Sequence, residues 1–207
     1  YPAEVFMGDV GALALGAAVL RRGSRAMVAP DAIPEGLIVS VREVPGYQWR
    51  PDYQDIDQIQ VTISPEAGRW WRRGEIGGHI VLFRTRWNLW EIDTIEASKG
   101  YGPLLYDLAM ELAFLDGAEG VVPDRTGVSD SAARVWERYS DTRYDVSRDT
   151  LPADFPQREW HTLRGQPHLD YAYRKHGTPM LDALRQGGKL QTHGAKTALI
   201  QSLSRAT

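Results

Sequence analysis

The feature that most constrains the fold is a change of hydrophobic period on either side of a glycine turn. Residues 89–97, Leu-Trp-Glu-Ile-Asp-Thr-Ile-Glu-Ala, favour a strand. Pro103 suits the first turn of a following helix, and Gly117 lies just past its end. The sequence therefore predicts a strand and a helix joined by residues 98–103. Apolar residues of that helix recur at the spacing of one face, at Leu105, Leu108, Ala109, Leu112 and Leu115.

The turn contains Gly100 and Gly102, and it joins the end of the predicted strand directly to the start of the predicted helix. The first N–H groups of a helix have no intrahelical partner, and the helix dipole favours negative charge beside them. Such a turn predicts an anion site, and the pyrophosphate of a nucleotide-like cofactor is the ligand that we expect. The alternative is an ordinary turn without a ligand.

Further elements surround this unit. We expect an α/β (α+β) fold, in which an antiparallel meander is followed by a parallel β-α-β crossover between strands 89–97 and 120–123. Trp87-Asn88 predicts a tight hairpin turn before residue 89. The other predicted elements are strands at 36–44, 59–64, 79–85 and 169–174, and helices at 129–139 and 179–185.

The chain of 207 residues divides into three parts. Residues 1–34 are predicted to form an N-terminal segment and linker, 35–175 the main domain, and 176–207 a C-terminal helix and tail. The apolar stretch at 10–20 is shorter than the roughly 20 residues that span a bilayer, so we expect no membrane span.

Composition excludes several kinds of site. The absence of cysteine excludes disulfides, thiolate metal ligands and cysteine nucleophiles. A net charge of -3 does not favour nucleic acid as a partner. His161 and His168 have no carboxylate at ligand spacing, so the sequence predicts no metal site.

One cluster of aromatic and basic residues could stack on bases and grip phosphate, or could fill the core and its rim. The second explanation is the simpler one for an acidic chain. The cluster consists of Arg69, Trp70, Trp71, Arg72 and Arg73, together with Arg84, Arg86, Trp87 and Trp90.

The order of elements and the glycine turn together resemble the GNAT superfamily of N-acetyltransferases, in a divergent phage-like branch. In that family the turn reads Arg/Gln-x-x-Gly-x-Gly/Ala, and residues 97–102 of this chain fall on it. Both glycines are kept, whereas Ala97 replaces the leading Arg or Gln. The resemblance covers roughly residues 35–175.

This resemblance implies that acetyl-CoA is the co-substrate. The backbone of Ile95, Glu96 and Ala97 would hold its pantetheine arm. Lys99 or the Ser98 hydroxyl would replace the missing side-chain contact. The pyrophosphate would be held by the N–H groups of Lys99, Gly100, Tyr101 and Gly102.

Acetyl transfer to an amine also needs a group that takes a proton from the amine. Glu91 and Asp93 are the candidate bases, because a side-chain period of two places them on one face of the strand. The alternative is that both face solvent opposite Ile92. Ile95 would share their face and interrupts the alternation.

The leaving thiolate needs a proton donor. In the family, a Tyr on the helix that corresponds to residues 129–139 often supplies it, and Trp136 occupies that position here. Tyr139, one turn later, is the nearest hydroxyl and is the candidate acid.

Two functions follow from these residues. The first is an acetyl-CoA-dependent N-acetyltransferase acting on an unidentified amine. The second is a structural or virion-associated phage protein that keeps the fold with impaired chemistry, which the replacements at Ala97 and Trp136 favour. We expect the enzyme to lie in the cytoplasm of the host cell, and the structural protein in the phage virion.

Residues 1–18 separately resemble a helix of the phospho-N-acetylmuramoyl-pentapeptide transferase family, with Asp9 at the position of a catalytic aspartate. That family is polytopic and uses Mg²⁺, and this chain lacks the membrane spans that its activity requires. We therefore interpret residues 1–34 as a packing segment or a docking segment for a protein partner.

Overall fold

The computed structural model describes residues 29–47, 56–156 and 166–194, together with residues 199, 201 and 203. Its helices are α1 (Tyr101–Leu115), α2 (Asp130–Thr142) and α3 (Pro179–Gln186). Its strands are β1 (Ile38–Tyr47), β2 (Ile56–Ser64), β3 (Gly78–Arg84), β4 (Trp90–Ala97), β5 (Val121–Val122), β6 (Val146–Thr150), β7 (Tyr171–Lys175) and β8 (Leu190–Gly194).

All of these strands belong to one mixed sheet with the order β6-β7-β5-β4-β3-β2-β1-β8. Strands β1 to β4 form an antiparallel meander, and β5 pairs with β4 in parallel after the α1 crossover. The predicted α+β class, with a meander followed by a parallel crossover, is therefore confirmed.

The hairpin between β3 and β4 closes at the predicted turn. Asn88 adopts a left-handed conformation with φ 59°, which asparagine tolerates better than most residues. The Thr85 N–H donates to the Leu89 carbonyl at 2.7 Å.

Two edge strands were not predicted, and both lack an apolar alternation. β6 reads Val-Ser-Arg-Asp-Thr, is half-buried to exposed, and pairs with β7. β8 lies in the segment expected to form a helix and tail, and it pairs with β1 in parallel. The strand predicted at 169–174 begins later, at Tyr171, because residues 167–169 form a 3₁₀ turn.

The main core lies between α1 and one face of the sheet. Val39, Val41, Ile59 and Val61 on the meander are fully buried there. A smaller cluster of Leu89, Val122, Phe155 and Ala172 lies apart from this core. The residues of α1 that join the main core include Leu104, Leu105, Leu108, Met110 and Leu112.

Charged side chains are also buried beneath α1, and we call Asp107, Glu111, Tyr139, Arg143 and Lys175 the buried ion cluster. The Lys175 ammonium lies 2.8 Å from Glu111 and 3.5 Å from Asp107. The Arg143 guanidinium lies 3.0 Å from the same Asp107 oxygen that Lys175 approaches. Because both carboxylates are fully buried, each depends on these cations for its compensation.

Glu111 also connects α1 to α3. Its carboxylate accepts the N–H of Met180 at 3.1 Å and the N–H of Leu181 at 2.8 Å, in the first turn of α3. A carboxylate at a helix N-terminus satisfies unpaired donors and complements the helix dipole. The buried ion cluster therefore joins α1, α3, β7 and the end of α2.

A Lys175→Met substitution should lower the free energy of unfolding by about 3–5 kcal/mol, because it removes the cation from buried Glu111 and leaves buried Asp107 with Arg143 alone. Arg174→Met on the same strand is the matched control. Arg174 pairs with the exposed Glu119, so its loss should cost about 1 kcal/mol or less. Urea unfolding measures both, and equal losses would contradict the role given to Lys175.

Candidate functional site

The predicted glycine turn lies at the junction of β4 and α1. Gly100 is the N-cap of α1, with φ 89° and ψ −18°, a left-handed conformation that glycine adopts without strain. The Tyr101 N–H donates to the Ser98 carbonyl at 3.1 Å and closes the turn. None of the described side chains caps α1, and its first turn contains no acidic residue. The helix N-terminus therefore keeps its attraction for an external anion.

Two glycines outside the predicted site, Gly77 and Gly78, anchor this turn. The Ser98 N–H donates to the Gly77 carbonyl at 2.8 Å, and the Gly77 N–H donates to the Ser98 hydroxyl oxygen at 2.9 Å. Gly78 lies so close to Ala97 that a Cβ there would be 2.7 Å from the Ala97 Cβ. The adjacent glycines before the third predicted strand were the signal for this close approach.

The surroundings of Gly77 and Gly102 differ in the space that they leave for a side chain. A Cβ on Gly77, where φ is 119°, would lie 2.0 Å from the Ile63 carbonyl oxygen. A Cβ on Gly102 would meet no atom within 4 Å. Packing within the described chain therefore requires glycine at 77 but leaves open space in front of Gly102, where a ligand could approach the helix.

β4 continues past the end of its pairing with β5. The register between the two strands covers Trp90 with Val121 and Glu91 with Val122, and Pro123 follows β5 directly. Residues 92–97 lie beyond that register, and Ile95, Glu96 and Ala97 pair with β3 on the other side. The predicted pantetheine-binding backbone therefore lies where the parallel strands stop pairing, next to the glycine turn.

A β-bulge interrupts β4 at Asp93. Ile92 pairs with Leu82 and Thr94 pairs with Val81, so Asp93 is the extra residue. The bulge explains why Ile95 packs against the main core although simple alternation places it with Glu91. The expectation that Glu91 and Asp93 share one face depended on an unbroken period of two, and the bulge removes that basis.

Glu91 lies beside the loop that follows β5. Its carboxylate accepts the backbone N–H of Arg125 at 3.3 Å. The nearly buried Arg125 guanidinium donates to the Leu169 carbonyl at 2.9 Å and to the Pro156 carbonyl at 3.2 Å. Arg125 thus fixes this loop against the end of the parallel pair, a role that the sequence did not indicate.

Tyr139 lies behind the first turn of α1. Its hydroxyl is within hydrogen-bond distance of two acceptors, an Asp107 carboxylate oxygen at 2.9 Å and the Pro103 carbonyl at 3.0 Å. Burial, with a smaller contribution from Asp107, raises the pKa of Tyr139 well above its ordinary value. These contacts hold the hydroxyl against α1, and proton donation to a thiolate stays a prediction. Trp136 is fully buried and packs edge-on against Tyr106, at a centroid distance of 4.8 Å.

The aromatic and basic cluster of the sequence is divided between the two ends of β3. Trp70 and Trp71 lie beside His79, with ring centroids 4.3 Å and 5.8 Å from it. Trp87, beyond the other end of the strand, packs against Phe155 at 4.8 Å. These rings therefore do not form one continuous stacking surface.

Comparison with known proteins finds no matching family model, no similar curated protein and no similar solved structure. No helix in the described ranges has the length and apolar character to cross a membrane. The described residues also contain no group of three or more acidic and histidine side chains placed to hold a metal ion. Residues 1–28, with Asp9, and His161 lie outside the described residues.

The contrast between the two glycines is testable by unfolding. Gly77→Ala should lower the free energy of unfolding by more than about 2 kcal/mol, because the methyl group overlaps a carbonyl and φ is strained. Gly102→Ala, in a helical conformation with open space, should leave it unchanged or raise it by up to about 1 kcal/mol. A large loss in Gly102→Ala would show that the space in front of the turn is not open.

Proposed function

We propose that the protein is an acetyl-CoA-dependent N-acetyltransferase of the GNAT type that acts on an amine. The observation that carries this proposal is the open space at Gly102, in front of the N-terminus of α1, which no described side chain caps. Next to it, β4 continues beyond the end of its parallel partner β5. These features suit a pyrophosphate in front of residues 99–102 and an extended arm along 95–97. Because the Tyr101 N–H already donates to the Ser98 carbonyl, the contacts would come from the N–H groups of Lys99, Gly100 and Gly102.

Among the side chains of the turn, Lys99 is the better replacement for the missing Arg or Gln at Ala97. The Ser98 hydroxyl donates to the Gly77 carbonyl at 3.0 Å and also accepts the Gly77 N–H, so it is committed to the turn itself. Lys99 is exposed and carries the positive charge that a pyrophosphate attracts.

In the proposed reaction, the amine nitrogen forms a bond to the acyl carbon while the carbon–sulfur bond breaks. The carboxylate of Glu91 or Asp93 takes the proton that the amine loses. Backbone N–H groups where β4 leaves β5 would polarise the acyl carbonyl. The thiolate receives a proton from Tyr139 or from water.

A second function is a structural or virion-associated phage protein that retains the fold with impaired chemistry. Trp136 favours it, because the buried indole supplies no hydroxyl at the family's acid position. The two proposals differ in one result: the enzyme releases CoA with some member of an amine panel, whereas the impaired protein binds acetyl-CoA without turnover.

Gly102→Trp should abolish acetyl-CoA binding in calorimetric titration, because the indole fills the space in front of the helix. Phe114→Trp is the control, since it adds an indole at the exposed far end of the same helix and should leave the affinity unchanged. Unchanged affinity in Gly102→Trp would refute the placement of the pyrophosphate.

Glu91→Gln or Asp93→Asn should lower kcat by about 10²–10⁴-fold, the range expected for loss of a general base. The measurement is CoA release with an amine substrate, alongside an acetyl-CoA titration that should not change. If both variants keep the wild-type kcat, neither carboxylate is the base.

A further inference from the structure

Arg125, in the loop that follows β5, is a charged side chain that the proposed reaction does not use. Only 5% of the residue is exposed. Its guanidinium donates to the Leu169 carbonyl at 2.9 Å, the Pro156 carbonyl at 3.2 Å and an Asp170 carboxylate oxygen at 3.3 Å. It also lies 5.7 Å from the centroid of the Phe155 ring. Taking any of these acceptors from a buried charge is costly, so together they hold the loop in one position.

The backbone of Arg125 contacts one of the two candidate bases. Its N–H donates to the Glu91 carboxylate at 3.3 Å. Trp90 and Ile92, on either side of Glu91, belong to the main core, so Glu91 points to the opposite face of the sheet. An amide donor fixes the direction of a carboxylate without adding a positive charge, which would make the carboxylate a weaker base.

Glu91 also lies at the point where the two parallel strands separate. It pairs with Val122, the last residue of β5, and Pro123 follows. The proposed reaction places the acyl carbonyl at this point, where β4 leaves β5. Asp93 is the extra residue of the β-bulge, two residues farther along β4. Of the two candidate bases, Glu91 is therefore the one at the proposed acyl position, and it has a backbone donor that fixes its direction.

We propose that Arg125 is a positioning residue that holds Glu91 in place as the general base. The guanidinium fixes the loop to residues 156 and 169–170, and the N–H of the same residue fixes the carboxylate. As the amine nitrogen bonds to the acyl carbon and the carbon–sulfur bond breaks, the amine proton passes to Glu91. The thiolate receives its proton from Tyr139 or from water, as before. This inference rests on the proposed acetyltransferase function and narrows its base to one residue.

A double-mutant cycle tests this role, with kcat measured by CoA release and expressed per acetyl-CoA-binding site counted by calorimetry. Arg125→Met should lower kcat by about tenfold to hundredfold and leave KM for acetyl-CoA unchanged, because a displaced base loses its alignment. Glu91→Asp keeps a carboxylate but withdraws it from the Arg125 N–H. In that background Arg125→Met should cost about twofold or less, since the contact that it supports is already lost. Arg174→Met, the matched control, should leave kcat unchanged in both backgrounds.

A second measurement does not depend on turnover. In ¹⁵N-labelled protein, Glu91→Gln should shift the Arg125 amide resonance more than Asp93→Asn does. Where Arg125→Met does not fold, Arg125→Lys, which keeps the charge but not the fork of donors, replaces it in the cycle.

Equal losses of kcat in the two backgrounds, or an Arg125 amide that does not respond to Glu91→Gln, would refute the positioning role and leave the proposed function standing. If no amine of the panel releases CoA, the proposed function fails and the positioning role fails with it, even where the Arg125 amide responds.

Discussion

The fold depends on the positive charges that neutralise two buried carboxylates on α1. Asp107 and Glu111 are fully buried, and Lys175 reaches both from β7. Charges buried in this way are costly unless each has a partner, so the crossover helix can pack on the sheet only with β7 in place. Because α1 begins at the glycine turn, the same interaction also fixes the helix whose N-terminus forms the candidate site.

Local patterns predicted the elements whose residues carry a clear period, namely β1 to β4, α1 and α2. They failed where tertiary partners decide the outcome. Asp107 and Glu111, four residues apart, are typical of a solvated helix face, yet Lys175 and Arg143 bury them. The edge strand β8 has no apolar face of its own and forms because β1 offers an unpaired edge.

The candidate site could likewise be predicted only in part. The glycine spacing indicated the turn and the start of α1, both of which the structure contains. The bulge at Asp93, the anchor at Gly77 and the loop contact of Arg125 were not predictable, because each depends on a residue distant in sequence. Together they bring a helix N-terminus, a stretch of β4 that pairs with β3 but not with β5, and a carboxylate to one end of the sheet.

The proposed function places acetyl-CoA along residues 95–102. The most direct measurement is an NMR titration of the ¹⁵N-labelled protein that follows each assigned backbone amide. Acetyl-CoA should shift the amides of Lys99, Gly100, Tyr101 and Gly102 most strongly, followed by those of Ile95 to Ala97. Absence of shifts at saturating acetyl-CoA, or shifts confined to another part of the sheet, would contradict it.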